Sequence, residues 1–261
     1  MTTRPVTVVT GASRGIGLAL ARRFASAGSD LVLIARGQSA LEMAARDIAG
    51  AFGVDALTLA LDVGDPEAPA LLDACLDRHG RHLDVLVNNA GLGLAGPFEQ
   101  SDLEAIEPVL AANVAGLTRL THHALITLLR RGSGGILNVA SLGGFVPGPY
   151  QAVYYATKSY VLTLTESIAA EIEGSGVRVA VAIPGPVRTG FHGSMGAGTA
   201  YYARFLPHAS ADRVARSIHW GFNLGMTVIP SGPIGLALAY GARLLPRALA
   251  RLLMSFLLKP R

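Results

Sequence analysis

The sequence predicts a single doubly wound α/β domain, in which a parallel sheet of about seven strands is flanked by helices. Two observations indicate this fold. Short apolar runs alternate with longer helical patterns along the chain, and no linker or repeat interrupts the alternation. The runs are continuously apolar, as expected for the strands of a parallel sheet that is buried on both faces.

Each predicted strand is a short apolar run bounded by turn residues or by the start of a helix. Helical periodicity marks the longer segments between them. The strands are predicted at residues 5–10, 31–35, 56–61, 83–87, 136–140, 177–183 and 227–229. The clearest helices are predicted at residues 18–27, 152–173 and 210–222.

Three further helices are predicted from the residues that begin them. A serine followed three residues later by a glutamate can form a capping box, and this pattern occurs at residues 39–42 and 101–104. Asp65 followed by Pro66 suits an N-cap and the first helical position. Pro108 is expected to divide or bend the helix that begins near residue 101.

Composition narrows the class of protein. The 261 residues are enough to bury one large core, and 51% are hydrophobic while 15% are charged. The net charge of +4 is not gathered in a basic and aromatic cluster, which argues against nucleic-acid binding. The single cysteine, Cys75, excludes an internal disulfide and favours a reducing cytosol. No signal peptide precedes the first strand, so we expect a cytoplasmic protein.

A glycine-rich segment joins the first strand to the first helix, where Rossmann-type folds bind dinucleotides. Its G-x-x-x-G-x-G spacing is a variant of the dinucleotide fingerprint. Glycines there allow a tight turn and let backbone N–H groups approach a pyrophosphate. The candidate cofactor residues of this segment are Gly11, Ser13, Arg14, Gly15, Ile16 and Gly17.

The end of the second predicted strand indicates which form of the cofactor is bound. An NAD site usually has an acidic residue there, which binds the ribose 2′-hydroxyl. This sequence has Arg36 instead, and a guanidinium binds a 2′-phosphate in bidentate fashion. Arg14, within the glycine segment, is a second candidate. Both arginines favour NADP(H) over NAD(H).

Tyr154 and Lys158 lie four residues apart in a predicted helix, so their side chains share one face. A nearby cation lowers the pKa of a phenol, which makes Tyr154 a candidate general acid and base for a proton on oxygen. Neither Tyr150 nor Tyr155 has a lysine four residues later. We therefore assign Tyr155 to packing and Tyr150 to the wall of the pocket.

Taken in order, these motifs resemble those of the short-chain dehydrogenases/reductases over roughly residues 5–230. The resemblance is to a single-domain, NADP(H)-type branch with an apolar C-terminal extension. It implies further cofactor contacts near the adenine, along the motif after the fourth strand, and on the nicotinamide side. These are Asp62 and Val63; Asn89, Ala90 and Gly91; and Pro184, Gly185, Val187 and Thr189.

The resemblance also implies a catalytic tetrad of Asn113, Ser141, Tyr154 and Lys158. In such a tetrad the serine binds the substrate carbonyl and the tyrosine transfers the proton. The lysine also holds the nicotinamide ribose, and the asparagine supports a water. The implied reaction is that of a ketoreductase or alcohol dehydrogenase, which interconverts a ketone or aldehyde and an alcohol by hydride transfer.

Three segments are expected to face the substrate, at residues 91–97, 142–150 and 190–206. Few of their residues are charged, which favours an apolar carbonyl substrate. Glycines in the third segment suit either a closing lid or an ordinary loop. The candidate pocket residues are Leu92, Leu94, Phe145, Tyr150, Phe191 and Met195. The histidines lack the spacing of a metal site, so no metal is expected.

The chain is expected to comprise a catalytic domain at residues 1–232 and an extension at residues 233–261. Arg243, Arg247 and Arg251 are spaced by four, and leucines flank them, which predicts an amphipathic helix. Such a helix can pack on its own domain, join the subunits of a homodimer or homotetramer, or lie on a membrane surface. The arginines and a proline argue against a membrane span.

Two alternatives stay open on the sequence. A membrane-associated lipid or ketoacyl reductase would share the same site and differ in the use of its tail. A protein that binds nicotinamide cofactor without turnover would share the fold, but the complete tetrad argues against it.

Overall fold

The structure of the chain is a computed structural model that describes residues 3–188, 195, 209–231, 241 and 246–259. Seven parallel strands form the main sheet, in the order β3-β2-β1-β4-β5-β6-β9. Its strands are β1 (Arg4–Thr10), β2 (Asp30–Ala35), β3 (Ala56–Ala60), β4 (Arg81–Asn88), β5 (Gly134–Val139), β6 (Val177–Ile183) and β9 (Val228–Pro230). The predicted parallel α/β fold is confirmed.

Helices cover both faces of this sheet. Numbered over the described residues, they are α1 (Gly15–Ser26), α2 (Gln38–Phe52), α3 (Ala68–Arg78), α4 (Leu103–Leu110), α5 (Leu117–Arg131), α6 (Ala152–Glu171), α7 (Ala211–Asn223) and α8 (Arg247–Leu257). Val9 and Leu33 pack with α1, α2 and α7, whereas Val8 and Val32 pack with α3 and α5. Consecutive strand residues therefore serve opposite faces, which explains why the strands are apolar throughout.

Shorter elements connect the sheet and the helices. Two 3₁₀ turns lie at Phe98–Gln100 and Leu142–Phe145, and a π-helical turn at Ala111–Gly116 joins α4 to α5. A second pair of parallel strands, β7 (Val187–Arg188) and β8 (Ala209–Ser210), was not predicted. Two-residue strands carry too little apolar pattern to be recognised in a sequence.

The predicted capping boxes are wrong at both positions. Helix α2 begins at Gln38 after Gly37, and Glu42 accepts a hydrogen bond from Gln38 Nε2 at 2.7 Å instead of reaching back to cap the helix. Before α4 the N-cap is Asp102, because the Ser101 hydroxyl donates to the Pro97 carbonyl at 3.1 Å in the preceding turn.

The helix predicted from Asp65 and Pro66 begins later than expected, and the helical region that contains Pro108 is interrupted shortly after it. Helix α3 begins at Ala68, later than the Asp65–Pro66 signal, and the Asp65 carboxylate accepts a hydrogen bond from the Glu67 amide at 2.8 Å in the turn before it. Pro108 lies inside α4 and does not end it. The irregularity comes three residues later, where the π-helical turn begins at Ala111.

Strand β1 pairs with both β2 and β4, so the order of strands reverses between β1 and β4. The crevice at the carboxyl ends of such strands is where open α/β sheets bind ligands. Buried amides hold this edge together: Asn88 Nδ2 donates to Asn138 Oδ1 at 3.0 Å, and Asn138 Nδ2 donates to Thr165 Oγ1 at 3.0 Å. These bonds tie β4, β5 and α6 to one another directly below the crevice.

Candidate active site

One cavity of about 970 Å³ extends over the carboxyl ends of the strands. It brings together most of the predicted cofactor and catalytic residues. Those that line it are Gly11, Ser13, Arg14, Gly15, Ile16, Arg36, Asp62, Val63, Asn89, Ala90, Gly91, Ser141, Tyr154, Lys158, Pro184, Gly185 and Val187. Thr189 lies outside the described residues.

The glycine loop is compact because side chains are excluded from it. Gly11 and Gly15 have φ values of 65° and 61°, a region that favours glycine. A Cβ at Gly17 would lie 2.2 Å from the carbonyl oxygen of Gly11, and one at Gly11 would lie 2.9 Å from Cα of Ala90. No described side chain caps α1, and Gly15 and Ile16 at its start line the cavity. Uncapped N–H groups at the start of a helix are suited to binding an anion.

Strand β4 holds the glycine loop through Thr10 and Asn89. The Thr10 hydroxyl accepts hydrogen bonds from the amides of Asn89 and Ala90, both at 3.0 Å. Asn89 Nδ2 in turn donates to the Thr10 carbonyl at 3.0 Å. The two strand ends that flank the switch in strand order are thus fixed to each other, which shapes the floor of the cavity.

The end of the cavity beside the glycine loop and β2 carries two arginines. Arg36 follows β2 directly, and its exposed guanidinium lies 4.0 Å from Asp62 Oδ2. Asp62 is itself oriented by the Gly64 amide, which donates to its Oδ1 at 2.9 Å. Arg14 is exposed at the start of α1. Two cations and one anion therefore border this end.

The catalytic candidates meet where β5 and α6 approach each other. Ser141 begins the 3₁₀ turn after β5, and its Oγ accepts a hydrogen bond from the Gly143 amide at 3.1 Å. Tyr154 and Lys158 lie on α6, with Lys158 Nζ 5.8 Å from the centroid of the Tyr154 ring. The predicted placement of both side chains on one helix face is what the structure shows.

Lys158 is a buried cation with a fixed direction. Its Nζ donates to the Val139 carbonyl at 2.9 Å, which holds the ammonium at the end of β5. Burial lowers the pKa of Lys158 to about 8, because the charged form loses its hydration. The site thus holds a lysine that changes its charge within reach of neutral pH.

Asn113 lies in the π-helical turn, a geometry that often marks functional sites. Its side chain is engaged with protein groups: Oδ1 accepts from the Leu92 amide at 2.8 Å, and Nδ2 donates to the Leu92 carbonyl at 2.8 Å. Nδ2 also donates to Thr157 Oγ1 at 3.1 Å, beside Lys158 on α6. The side chain does not line the cavity. These bonds hold the Leu92 segment against α6. The resemblance had implied a different role for Asn113, the support of a water.

The predicted substrate residues fall into three groups. Leu92 and Met195 line the cavity, and the Ala95 amide donates to the Met195 carbonyl at 2.9 Å. Leu94, Phe145 and Tyr150 do not line it. Phe145 packs in the apolar cluster between β6 and α6, and Tyr150 packs beside Leu258. Phe191 lies outside the described residues.

Several lining residues were not identified from the sequence. Tyr155, assigned to packing, does pack between Gly143 and Gly148 but also lines the cavity. Leu142 and Val146, which also line it, lie in the segment at 142–150 that was expected to face the substrate. Further lining residues that were not identified include Gln151 near Tyr154 and a set from the C-terminal tail: Gly241, Ala250, Leu253, Met254, Leu257 and Leu258. The apolar stripe of the tail was visible in the sequence, but its partner was not.

Among the described residues, no cluster of three or more histidine, cysteine, aspartate or glutamate side chains is arranged to hold a metal ion. Within the same residues, no helix has both the length and the apolar character that a membrane crossing requires.

Comparisons with known proteins place the chain in a family. A family model described as short chain dehydrogenase matches residues 5–199. Sulfoacetaldehyde reductase 2 from Chromohalobacter salexigens is 36% identical over 214 residues, which cover 79% of this chain and 84% of that protein. The chain belongs to the short-chain dehydrogenase family. It is therefore an NAD(P)-dependent oxidoreductase that acts on CH–OH groups.

Two solved structures extend the comparison. A short-chain dehydrogenase from Sphingobium yanoikuyae, in complex with NADPH, is 31% identical with a TM-score of 0.82, and the match covers 96% of this chain and 95% of that one. A bulky-bulky ketone specific alcohol dehydrogenase from Comamonas testosteroni is 26% identical with a TM-score of 0.75, covering 89% and 88%.

Proposed function

We propose that the chain interconverts an apolar ketone or aldehyde and its alcohol with NADP(H), and that Tyr154 is the general acid and base. One observation carries the proposal. A single cavity has an arginine-bordered glycine loop at one end, and Ser141, Tyr154 and Lys158 at the other. The NADPH-bound relative from Sphingobium yanoikuyae supports the choice of cofactor.

The residues at the strand ends fit this dinucleotide. A Cβ at Gly11 or Gly17 would collide with the loop itself or with Ala90, so glycine allows the loop to pack closely there. The uncapped start of α1, where Gly15 and Ile16 line the cavity, would hold the pyrophosphate. Arg36 has an exposed guanidinium beside the cavity that suits a ribose 2′-phosphate. When bound, NADPH supplies the hydride that reduces the carbonyl carbon.

Side chains of the protein would bind the oxygen of that carbonyl and transfer a proton to it. The Ser141 hydroxyl accepts from the Gly143 amide, which leaves its proton to be donated to the carbonyl oxygen. Tyr154 would give its phenolic proton to the same oxygen during reduction and take it back during oxidation. The Lys158 ammonium favours the phenolate that reduction leaves behind.

Asn113 would act through other residues and is a positioning residue. Its amide joins the main chain at Leu92 to Thr157, and the Thr157 hydroxyl donates to the Tyr154 carbonyl at 2.7 Å. These bonds fix the distance between the wall of the cavity and the helix that carries Tyr154. A loose helix at this point would misplace the proton donor.

The walls around Tyr154 favour an apolar substrate. Leu92, Leu142, Val146 and Met195 line this part of the cavity. The relative from Comamonas testosteroni is named for bulky ketones, which agrees with such a lining. The decisive assay follows NADPH oxidation by the purified protein with ketones, ketoacyl thioesters and steroids. Tight NADPH binding without oxidation by any carbonyl compound would contradict catalysis and favour a non-catalytic cofactor-binding protein.

Arg36→Ala is expected to weaken NADPH binding by about 1–3 kcal/mol, the scale of a hydrogen bond to a charged group. NADH binding should change little, because NADH has no 2′-phosphate. Fluorescence titration of both cofactors measures the effect. Arg22→Ala is a matched control, since Arg22 is also exposed on the surface but lies outside the cavity lining. A wild-type protein that binds NADH more tightly than NADPH would overturn the assignment.

We further propose that the outer face of α8 is used for association, either between subunits or with an anionic membrane surface. Leu249, Leu252 and Phe256 are exposed on it, next to Arg247 and Arg251. Exposed apolar groups with adjacent cations suit both partners. The location of the protein in the cytosol stays a prediction from the cysteine content.

Truncation after Gly232 is expected to change the size of the protein in solution or its binding to liposomes. Light scattering and liposome co-sedimentation of both forms measure the two effects, and salt should weaken the lipid contact alone. Unchanged size, solubility and lipid binding after truncation would show that the outer face of α8 has no partner.

A further inference from the structure

The side-chain amide of Gln151 borders the cavity and has no hydrogen-bond partner among the described residues. The residue is 3% exposed, and it lines the cavity three positions before Tyr154. Its backbone is satisfied, since its amide donates to Gly148 and its carbonyl accepts from Tyr155. Among the described residues, no group forms a hydrogen bond with its side-chain amide. Because its amide atoms are not among the fully buried polar atoms without a partner in the described residues, they reach the cavity, where a ligand or water can complete their hydrogen bonds.

The residue before Gln151 has an unusual backbone conformation, which is a second indication of a ligand site. Tyr150 has a φ of 63°, the one positive value of a non-glycine residue in the described part of the chain. Its carbonyl accepts a hydrogen bond from the Gly96 amide at 2.8 Å, which holds the conformation in place. Backbone strain of this kind is found mainly at ligand sites. Gln151 lines the cavity, whereas the neighbouring Tyr150 packs on Leu258 and does not line it.

Helix α8 forms the apolar side of the same end of the cavity. Met254 and Leu258 line the cavity and pack with Tyr150 and Tyr155. Tyr155 follows Gln151 by one helical turn, and its ring lies 6.0 Å from that of Tyr154. The unpartnered amide, the proton donor and the tail helix therefore meet at one place.

The charged residues that line the cavity either lie away from Gln151 or already contact other groups. Over the described residues they are Arg14, Arg36, Asp62 and Lys158. The first three border the glycine loop and the adenine end, and Lys158 faces Val139 and Tyr154. An amide offers one acceptor and two donor positions but no charge. A neutral polar group suits this position better than an anion.

Building on the proposed function, we propose that Gln151 and α8 form a substrate subsite for carbonyl compounds that carry a neutral hydrogen-bonding group on an apolar chain. The Gln151 amide binds the polar group, such as a hydroxyl or an ester carbonyl. Met254 and Leu258 bind the chain. The subsite selects among ketones by the polar group that they carry near the reacting carbonyl.

The test compares ketones of one chain length that bear a hydroxyl at successive carbons with the unsubstituted ketone and with a carboxylate analogue. For the wild type, the preferred hydroxyketone is expected to have a kcat/KM about tenfold above that of the unsubstituted ketone, the scale of one hydrogen bond. Gln151→Met, which keeps the length of the side chain, should remove this preference, so that the kcat/KM values of the hydroxyketone and the unsubstituted ketone lie within about twofold of each other.

A second pair of variants tests α8. Met254→Ala shortens a side chain of the apolar wall and so enlarges the cavity. The preferred chain length should therefore increase, and the ratio of kcat/KM for long ketones to that for short ketones should change by about tenfold. Leu252→Ala is the control, because Leu252 is 70% exposed and lies outside the cavity lining. Thermal unfolding checks that each variant is folded, and Gln151→Leu replaces Gln151→Met if the latter is not.

Calorimetry of the same ketones with the NADP⁺-saturated protein separates this inference from the proposed function. Binding that depends on Gln151, without oxidation of NADPH in the assay, would support the subsite and contradict the reaction. Turnover that Gln151→Met lowers equally for all ketones would support the reaction and overturn the subsite. A preference for the carboxylate analogue, or no binding of any ketone, would overturn it as well.

Discussion

Tyr154→Phe is expected to lower turnover by about a hundredfold or more, the lower range of general acid and base catalysis. Phenylalanine keeps the ring that packs at 6.0 Å from Tyr155 but has no proton to give to the carbonyl oxygen. Binding of NADPH should be preserved, because the glycine loop and Arg36 are untouched. Steady-state kinetics and a fluorescence titration of NADPH measure the two effects on the same preparation.

The matched control is Tyr155→Phe, which removes the neighbouring hydroxyl on the same helix. Tyr155 lines the cavity but has no lysine four residues later, so its loss should leave the chemical step largely intact. Near-normal turnover of Tyr154→Phe would remove Tyr154 from the mechanism. A large loss in both variants would point to a disturbed pocket wall instead of a lost proton donor.

The sequence predicted the sheet well because apolar runs report burial on both faces. The strand predicted at residues 177–183 is found as Val177–Ile183. The fifth strand begins at Gly134, two residues before its apolar run, because Gly134 and Gly135 pair with Val177 and Arg178. Glycine has no side chain to signal this pairing. The residues at which helices begin were harder to predict, because Ser101 and Glu42 form hydrogen bonds with other nearby groups instead of capping a helix.

The sequence identified most of the candidate residues that line the cavity near the glycine loop and Tyr154, because their motifs are local. Tyr154 and Lys158 share one helix turn, and the glycine loop is contiguous in sequence. The wall of the substrate end depends on distant pairs, such as Leu258 with Tyr150 and Tyr155. No periodicity in the tail identifies which residues its apolar stripe will cover. The role of Gln151 was hidden for the same reason, because a missing hydrogen bond is a property of the folded chain alone.

Lys158→Met is the second change with a large expected effect, and it should lower turnover by about a hundredfold because the phenolate of Tyr154 loses its cation. The sequence contains two lysines, Lys158 and Lys259, so the effect of removing one ammonium can be compared directly with the effect of removing the other. Lys259→Met removes an exposed ammonium outside the cavity and is the matched control. Equal turnover in the two variants would contradict a role for Lys158.

The same pair of lysines allows a direct test of the charge at the site. NMR of the cofactor-free protein labelled with ¹³C at lysine Cε should give two resonances, of which the one lost in Lys158→Met should titrate with a pKa of about 8. A folded pKa below the ordinary 10.5 means that the unfolded chain binds more protons between these values. The contribution of Lys158 to the free energy of unfolding should therefore be fully present above pH 10.5 and be lost as the pH falls through about 8.

The stability of the wild type relative to Lys158→Met should accordingly rise between about pH 8 and 10.5, by on the order of 3 kcal/mol. Urea unfolding of both proteins across this range measures the difference, and titration of residues common to both largely cancels. Near pH 7 the buried ammonium costs free energy, which its bond to the Val139 carbonyl offsets only in part. A difference that is independent of pH would show that Lys158 is hydrated in solution and that burial does not govern its charge.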